Sequence, residues 1–335
     1  MIARAKITGT GMSVPDRVVR NDELASLMDT SDEWIRQRTG IEERHWIGEG
    51  ESPATLAQGA ARQAIADAGL EERDIDCILL STLSAQHDFP GTSFFLQDRL
   101  DVAEVPCIDL RAQCSGFLYG LSFADSLVRT GKYERVLVVG CEVHSTGLDV
   151  STRGRDVAVL FGDGAGAVVV EPVRDSDDPS GILDVRLHAQ GRYAKKLWIE
   201  GPSSAQVPAR LTHEDVDAGK IFPKMEGRFV FKHAVTRMPE VLREALEAAS
   251  IKLADVDLFL FHQANLRINE YVAGQLEIPP EKLLHNIQRY GNCSAGSIPM
   301  LLAEATRGDR LREGQLVCMT AFGSGFTWAS AVVRW

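Results

Sequence analysis

No apolar run in these 335 residues approaches the roughly 20 that a membrane-spanning helix needs, so no span is expected. The amino-terminal MIARAKITGTGMSVP has too short an apolar stretch, and meets glycine and proline too early, for a secretory signal. Cytoplasm is therefore the expected compartment. A basic excess is lacking too: 36 Lys and Arg stand against 47 Asp and Glu, a formal charge of −11. Nucleic-acid binders carry a basic patch or stripe, so that class is disfavoured. A local basic mouth on an acidic chain would still admit an anionic substrate. The six cysteines, at 77, 107, 114, 141, 293 and 318, include no C-x-x-C pair. Zinc and dithiol redox sites are thus poorly supported, and five of the six read as small buried hydrophobes. A phosphate loop is missing as well. Phe161-Gly-Asp-Gly-Ala-Gly-Ala is glycine-rich, but it leads into a strand, lacks G-K-[ST] and reads as a packing turn.

What is present is the balance of a globular chain, 44% hydrophobic and 25% charged, with length for about two domains of roughly 150 residues. The sequence repeats itself. Asp74-Ile-Asp-Cys-Ile-Leu-Leu-Ser returns as Asp255-Val-Asp-Leu-Phe-Leu-Phe-His, an offset of 181 (255 − 74), each after a helix-like stretch at 54–69 and 237–250. Cys107-Ile-Asp-Leu-Arg-Ala-Gln-Cys-Ser lines up with Asn286-Ile-Gln-Arg-Tyr-Gly-Asn-Cys-Ser at 179 (286 − 107). Arg135-Val-Leu-Val-Val-Gly-Cys-Glu matches Gln315-Leu-Val-Cys-Met-Thr-Ala-Phe at 180 (315 − 135). Short continuous apolar runs at 77–80, 136–139, 165–170 and 258–261 read as strands covered by helices on both faces. The expectation is an α/β protein of two duplicated halves, 1–175 and 176–335, with the seam where prolines and acidic residues interrupt the pattern at 172–182. A doubly wound fold without duplication would share the strand pattern.

Three residues stand out chemically. Cys114 follows a strand at 105–110 and opens a helix whose Phe117, Leu121, Ala124 and Val128 recur at helical spacing. A helix N-terminus favours a thiolate; a buried cysteine at a strand-to-helix corner fits the same local sequence. His262 ends an apolar strand, where α/β sheets bind ligands, and Gln263, Asn265 and Arg267 follow at once. Asn292 sits in Tyr290-Gly-Asn-Cys-Ser before a helix that includes 300–305. The repeat sets it against Gln113, and Cys293 against Cys114, so approximate two-fold symmetry would turn both loops toward one cleft. Ala321-Phe-Gly-Ser-Gly-Phe is a glycine-flanked turn able to offer backbone N–H groups to an oxyanion, or simply a tight turn.

With these residues in hand, the chain resembles the 3-oxoacyl-[acyl-carrier-protein] synthase III family along nearly its whole length. The segments that carry the resemblance are Asp29-Thr-Ser-Asp-Glu-Trp-Ile with Arg38-Thr-Gly-Ile, Gln113-Cys-Ser-Gly-Phe, Phe161-Gly-Asp-Gly-Ala-Gly-Ala, His262-Gln-Ala-Asn-Leu-Arg, Gly291-Asn-Cys-Ser, and Ala321-Phe-Gly through Trp328. The resemblance implies a five-layered αβαβα thiolase fold, a homodimer and a triad of Cys114, His262 and Asn292. It implies that Trp34 and Arg38 flank the adenine of coenzyme A with Arg153 nearby. Asn265 and Gly227 would line the pantetheine tunnel, and Phe89 would enter the partner's acyl pocket. Lys232 and Arg267 would receive acyl carrier protein. No metal or resident cofactor is implied, coenzyme A arriving as the substrate's thioester.

The implied reaction is a decarboxylating Claisen condensation that starts fatty-acid synthesis. Cys114 takes the acyl group from an acyl-CoA, and backbone N–H groups of Cys114 and Ser324 hold the oxyanion. His262 and Asn292 stabilise the enolate formed from a malonyl thioester, in this reading malonyl-acyl carrier protein. Departures from the common family pattern are Arg111-Ala112-Gln113 before the nucleophile, a longer Ser151-Thr-Arg-Gly-Arg segment, an extended 188–222 region, and Ser324 where glycine is usual. The Arg111-Ala-Gln-Cys-Ser-Gly and Arg153-Gly-Arg variants resemble a subgroup that includes the quinolone-pathway condensing enzyme and synthases with longer primers. A secondary-metabolite condensing enzyme, or an acyltransferase using an unusual acyl-CoA, is thus the alternative. A papain-like hydrolase shares the order Cys, His, Asn but lacks the C-G-x-C-W context near the N-terminus. A non-catalytic acyl-CoA scaffold would keep Trp34 and Arg38 without ever being acylated.

Overall fold

The apolar runs form strands, and their alternating side chains supply the cores on the two faces of each sheet. A computed structural model describes residues 4–335; residues 1–3, part of the stretch tested for a signal, lie outside it. The first sheet joins β1 (Ala5–Ser13), β2 (Cys77–Ser81), β3 (Cys107–Leu110), β4 (Val136–Glu142) and β5 (Gly164–Pro172) in the order β1-β5-β4-β2-β3. The second joins β6 (Gly181–Ala189), β7 (Leu258–Phe261), β8 (Leu316–Gly323) and β9 (Thr327–Arg334) in the order β7-β8-β9-β6. In each sheet a corresponding parallel pair, β4 with β2 and β8 with β7, is continued by two antiparallel neighbours, and in the first sheet β2 also pairs parallel with β3. The counterpart of edge strand β3 shrinks to a single bridge between Phe259 and Leu283.

Among the described residues seven helices have eight or more residues: α1 (Asp32–Thr39), α2 (Pro53–Asp67), α3 (Thr92–Arg99), α4 (Gly116–Arg129), α5 (Gly227–Ala248), α6 (Leu266–Gln275) and α7 (Ser297–Arg307). The central core takes Leu79 and Val138 from the first sheet, Leu260 and Met319 from the second, and Leu121 and Leu301 from α4 and α7 between them. Ile78 and Val139 face the other way, onto Ala60 and Ala64 of α2. Phe259 and Cys318 face Met238 and Val272 of α5 and α6. The sequence of layers is therefore helix, sheet, helix, sheet, helix, the five-layered α/β architecture expected. Helix α5 starts ten residues earlier than its pattern suggested and runs through Pro239. Among the described residues no helix is long and apolar enough to cross a membrane.

The duplication is more regular than the sequence match made it. Cys77 pairs with Val136 as Leu258 pairs with Val317, so both strands keep an offset of 181 (258 − 77 and 317 − 136). The turns that open α4 and α7 keep it too. Ser115 N–H donates to Ala112 O as Gly296 N–H donates to Cys293 O, and Gln113 and Ser294 both take left-handed φ, 46° and 41°. The offsets of 179 and 180 are corrected accordingly: Cys114 corresponds to Ala295, not to Cys293, and Asn292 corresponds to Arg111, not to Gln113.

The halves approach through backbone. A Cβ on Gly140, at the end of β4, would lie 2.1 Å from the carbonyl oxygen of Ala295. Gly140→Val is expected to cost about 3 kcal/mol in chemical denaturation, because neither neighbour can yield. A loss within experimental error would show that this contact is slack.

Candidate active site

Strands β2, β3 and β4 are parallel, so their carboxyl ends share one edge of the first sheet. The chain leaving β3 turns tightly at Gln113 and presents Cys114 at the start of α4, 8% exposed. Gly323 at the end of β8 presses on this turn: a Cβ there would lie 2.8 Å from that of Cys114. The Cys114 sulfur faces its own N–H and that of Ser324, and lies 3.5 Å from Ser294 Oγ. Burial pushes the thiol up to about 11, against the pull of Ser294 and these two N–H groups. Desolvation thus outweighs the helix end, and the thiolate expected from the sequence is a protonated thiol at rest.

His262 directly follows β7, its N–H held by Thr320 O at 2.8 Å. It is 2% exposed, and neither ring nitrogen has a hydrogen-bond partner among the described residues. Burial lowers it to about 3, so the ring is neutral at ordinary pH. Gln263 fixes the segment: its Nε2 donates to Phe261 O, and its Oε1 accepts from the N–H groups of Asn286 and Ile287. Asn292, 5% exposed, is gripped by backbone bonds to Leu160 O and from Gly162 N. Its Oδ1 accepts from Ser294 N at 2.8 Å, which orients the amide. Ser294 therefore touches both Asn292 and Cys114, and two of the three expected residues meet through it.

Trp34 lies in α1, with guanidinium groups of Arg38 and Arg155 at 4.5 and 4.8 Å from its ring. Arg153, expected in that place, is instead bound to Asp149 at 2.5 Å and lies over Phe222. Asp149 captures the first arginine of Arg153-Gly154-Arg155 and leaves the second to reach Trp34. Asn265 caps α6 and donates to Arg38 O at 3.0 Å, joining the Trp34 region to the segment that carries His262. Gly227 is exposed at the start of α5. Lys232 and Arg267 are exposed on α5 and α6, which pack side by side through Phe231 and Tyr271. Phe89 is 83% exposed on the loop before α3, next to an Asp88–Arg210 ion pair of 2.7 Å.

Sequence reasoning missed several supports. Glu142, fully buried at the end of β4, accepts from Thr82, Leu83 and Ser84, and burial raises it to about 7. Arg44, also fully buried, donates to Asn21 Oδ1 and Val159 O, bracing the chain just before Phe161 and Asn292. Glu142 carried a signal, a charged residue ending an apolar run, whereas Arg44 sits between Glu43 and His45 and carried none. Among the described residues no group of three or more His, Cys, Asp or Glu is placed to hold a metal.

The arrangement is a buried thiol facing two backbone N–H groups and joined through Ser294 to an oriented amide, with a neutral, buried imidazole at the end of β7. Two stretches match models of the 3-oxoacyl-[acyl-carrier-protein] synthase III family, 108–191 the main model and 246–335 its C-terminal one. A beta-ketoacyl-[acyl-carrier-protein] synthase III of Roseiflexus castenholzii is 44% identical over 99% of this chain and 98% of its own. The crystal structure of 3-oxoacyl-[acyl-carrier-protein] synthase III from Aquifex aeolicus is similar at a TM-score of 0.89 and 42% identity, covering 99% of this chain and all of that one. The priming beta-ketosynthase of the R1128 polyketide pathway matches at 0.89 and 31%, over 100% of this chain and 98% of its own.

With its thiol raised to about 11, Cys114 should react with iodoacetamide about tenfold faster per pH unit from 7 to 10. Peptide mass mapping reads that rate. A plateau below pH 9 would contradict the dominance of burial.

Proposed function

Because the chain belongs to the 3-oxoacyl-[acyl-carrier-protein] synthase III family of acyltransferase-type condensing enzymes, we propose that it joins an acyl-CoA primer to malonyl-acyl carrier protein by a decarboxylating Claisen condensation, initiating fatty-acid synthesis. The observation that carries this reading is the Cys114 sulfur, buried between two backbone N–H groups and one serine away from Asn292.

In the first step the Cys114 sulfur attacks the thioester carbonyl. A C–S bond to Cys114 forms, the C–S bond to coenzyme A breaks, and the thiol proton leaves with coenzyme A. The oxyanion between sits on the N–H groups of Cys114 and Ser324, where donors are already aligned in a dry site. The malonyl thioester then loses CO₂, and its bonding pair becomes an enolate. His262 and Asn292 donate to the enolate oxygen, and the neutral state of His262 fits that donor role. The enolate carbon forms a bond to the acyl carbon as the Cys114 C–S bond breaks, and the sulfur takes a proton to regain its resting state. No step calls for a resident cofactor.

The supporting surfaces follow the same reading. Trp34 with Arg38 and Arg155 would take the adenine, Arg155 replacing Arg153, and Asn265 and Gly227 would flank the pantetheine. Lys232 and Arg267 would attract acidic acyl carrier protein in the cytoplasm. Exposed Phe89 and Phe94, with Ile108 at 45% exposure on edge strand β3, suit a second copy of the chain. Halves divided at 175/176 would each supply one loop to the pocket. A second reading, priming of a secondary-metabolite pathway, is favoured by Arg111-Ala112-Gln113 and by the likeness to a polyketide priming ketosynthase.

Separating the half-reactions tests this function. His262→Ala and Asn292→Ala should still accept acyl groups on Cys114, while 3-oxoacyl product and CO₂ fall about 100-fold or more. Equal loss of both half-reactions would remove His262 and Asn292 from the donor step.

A further inference from the structure

One imidazole of the pocket has no part in this chemistry. His144 lies two residues beyond the carboxyl end of β4, on the sheet edge from which Cys114 also emerges. Its position is built rather than incidental. Its N–H donates to Asp163 Oδ1 at 2.7 Å, and Ser145 adds backbone and hydroxyl bonds to the same carboxylate at 2.9 and 2.5 Å. Asp163 belongs to the glycine-rich segment that read as a packing turn, so that segment anchors His144. The ring leans on Phe161, centroids 4.3 Å apart, and Phe161 pairs through its backbone with Asn292.

The residue is 8% exposed, and its Nε2 is buried with no partner among the described residues. It lies near enough to His262 for their charges to interact, and burial foremost lowers it to about 3. The ring is thus neutral, with one nitrogen free. An apolar side chain would pack against Phe161 without that unmet polar atom, which costs stability when nothing bonds it. A ligand oxygen would relieve the cost.

We propose that His144 Nε2 hydrogen-bonds an oxygen substituent on the acyl chain carried by Cys114, so that hydroxy- or oxo-acyl primers are preferred to plain alkyl primers of equal length. This rests on the acyl-enzyme reading. The acyl chain is favoured over the malonyl donor as the source of the oxygen because His144 and Cys114 share the edge of the first sheet, whereas His262 and Asn292 come from the second half.

The test compares wild type, His144→Leu and His144→Gln with butyryl-CoA, hexanoyl-CoA and their 2-hydroxy and 3-hydroxy analogues, without any malonyl donor. Intact-protein mass follows the rate of acylation. Wild type should favour the better hydroxylated primer by about tenfold or more, as sites built to bond a hydroxyl do. His144→Leu should abolish or invert that ratio, and His144→Gln, which keeps a donor and an acceptor, should retain part of it. The ratio is taken within each variant, so partial misfolding cancels. An unchanged ratio in His144→Leu overturns the proposal. In a second assay with malonyl-acyl carrier protein added, an acylation ratio that holds while condensation alone falls also overturns it, since that assigns the imidazole to the malonyl donor. Absence of label from every primer would remove the acyl-enzyme reading and this inference with it.

Discussion

The site depends on how closely two backbones can approach between the sheets. Gly323 allows β8 to lie against Cys114, and Gly140 allows β4 to lie against the carbonyl of Ala295. A side chain at either position would drive the turns before α4 and α7 apart. Those turns carry Cys114 and Ser294, whose side chains stand 3.5 Å from each other. The duplicated fold matters here because it brings two equivalent turns together at one place.

Burial governs the electrostatics. It lowers His262 and His144 to about 3, raises Cys114 to about 11, and raises Glu142 to about 7. The histidines and the thiol therefore rest without charge. A pocket of that kind gives little stabilisation to a neutral substrate and much to charge that develops during reaction, provided donors already point at it. In the proposed reaction the backbone N–H groups at Cys114 and Ser324 and the amide of Asn292 would be those donors. The buried Arg44, lowered by desolvation to about 10, remains charged and is spent on carbonyls and Asn21 beneath the pocket.

The layers and the repeat were legible because continuous apolar strand runs and helices of period 3.6 leave their mark on the order of residues. The detailed register was not. The paired cysteines drew Cys293 onto Cys114, although backbone geometry sets Cys114 against Ala295. Left-handed φ at Gln113 and Ser294 defines the true correspondence, and neither residue type announces it. Arg153 and Arg155 are both arginines two residues apart, and only the structure shows that Arg153 binds Asp149 while Arg155 reaches Trp34. Pro239 hid the first turns of α5, because a proline usually opens or breaks a helix. His144 lacked any signal beyond its place after a strand; its meaning lies in a nitrogen that nothing bonds.

The central claim is that Cys114 carries the acyl group. Intact-protein mass spectrometry of wild type and Cys114→Ala, each incubated with one acyl-CoA and no malonyl donor, tests it most directly. The account requires a gain of one acyl group per chain in the wild type and none in the variant. A gain that survives Cys114→Ala would place the nucleophile elsewhere and contradict it.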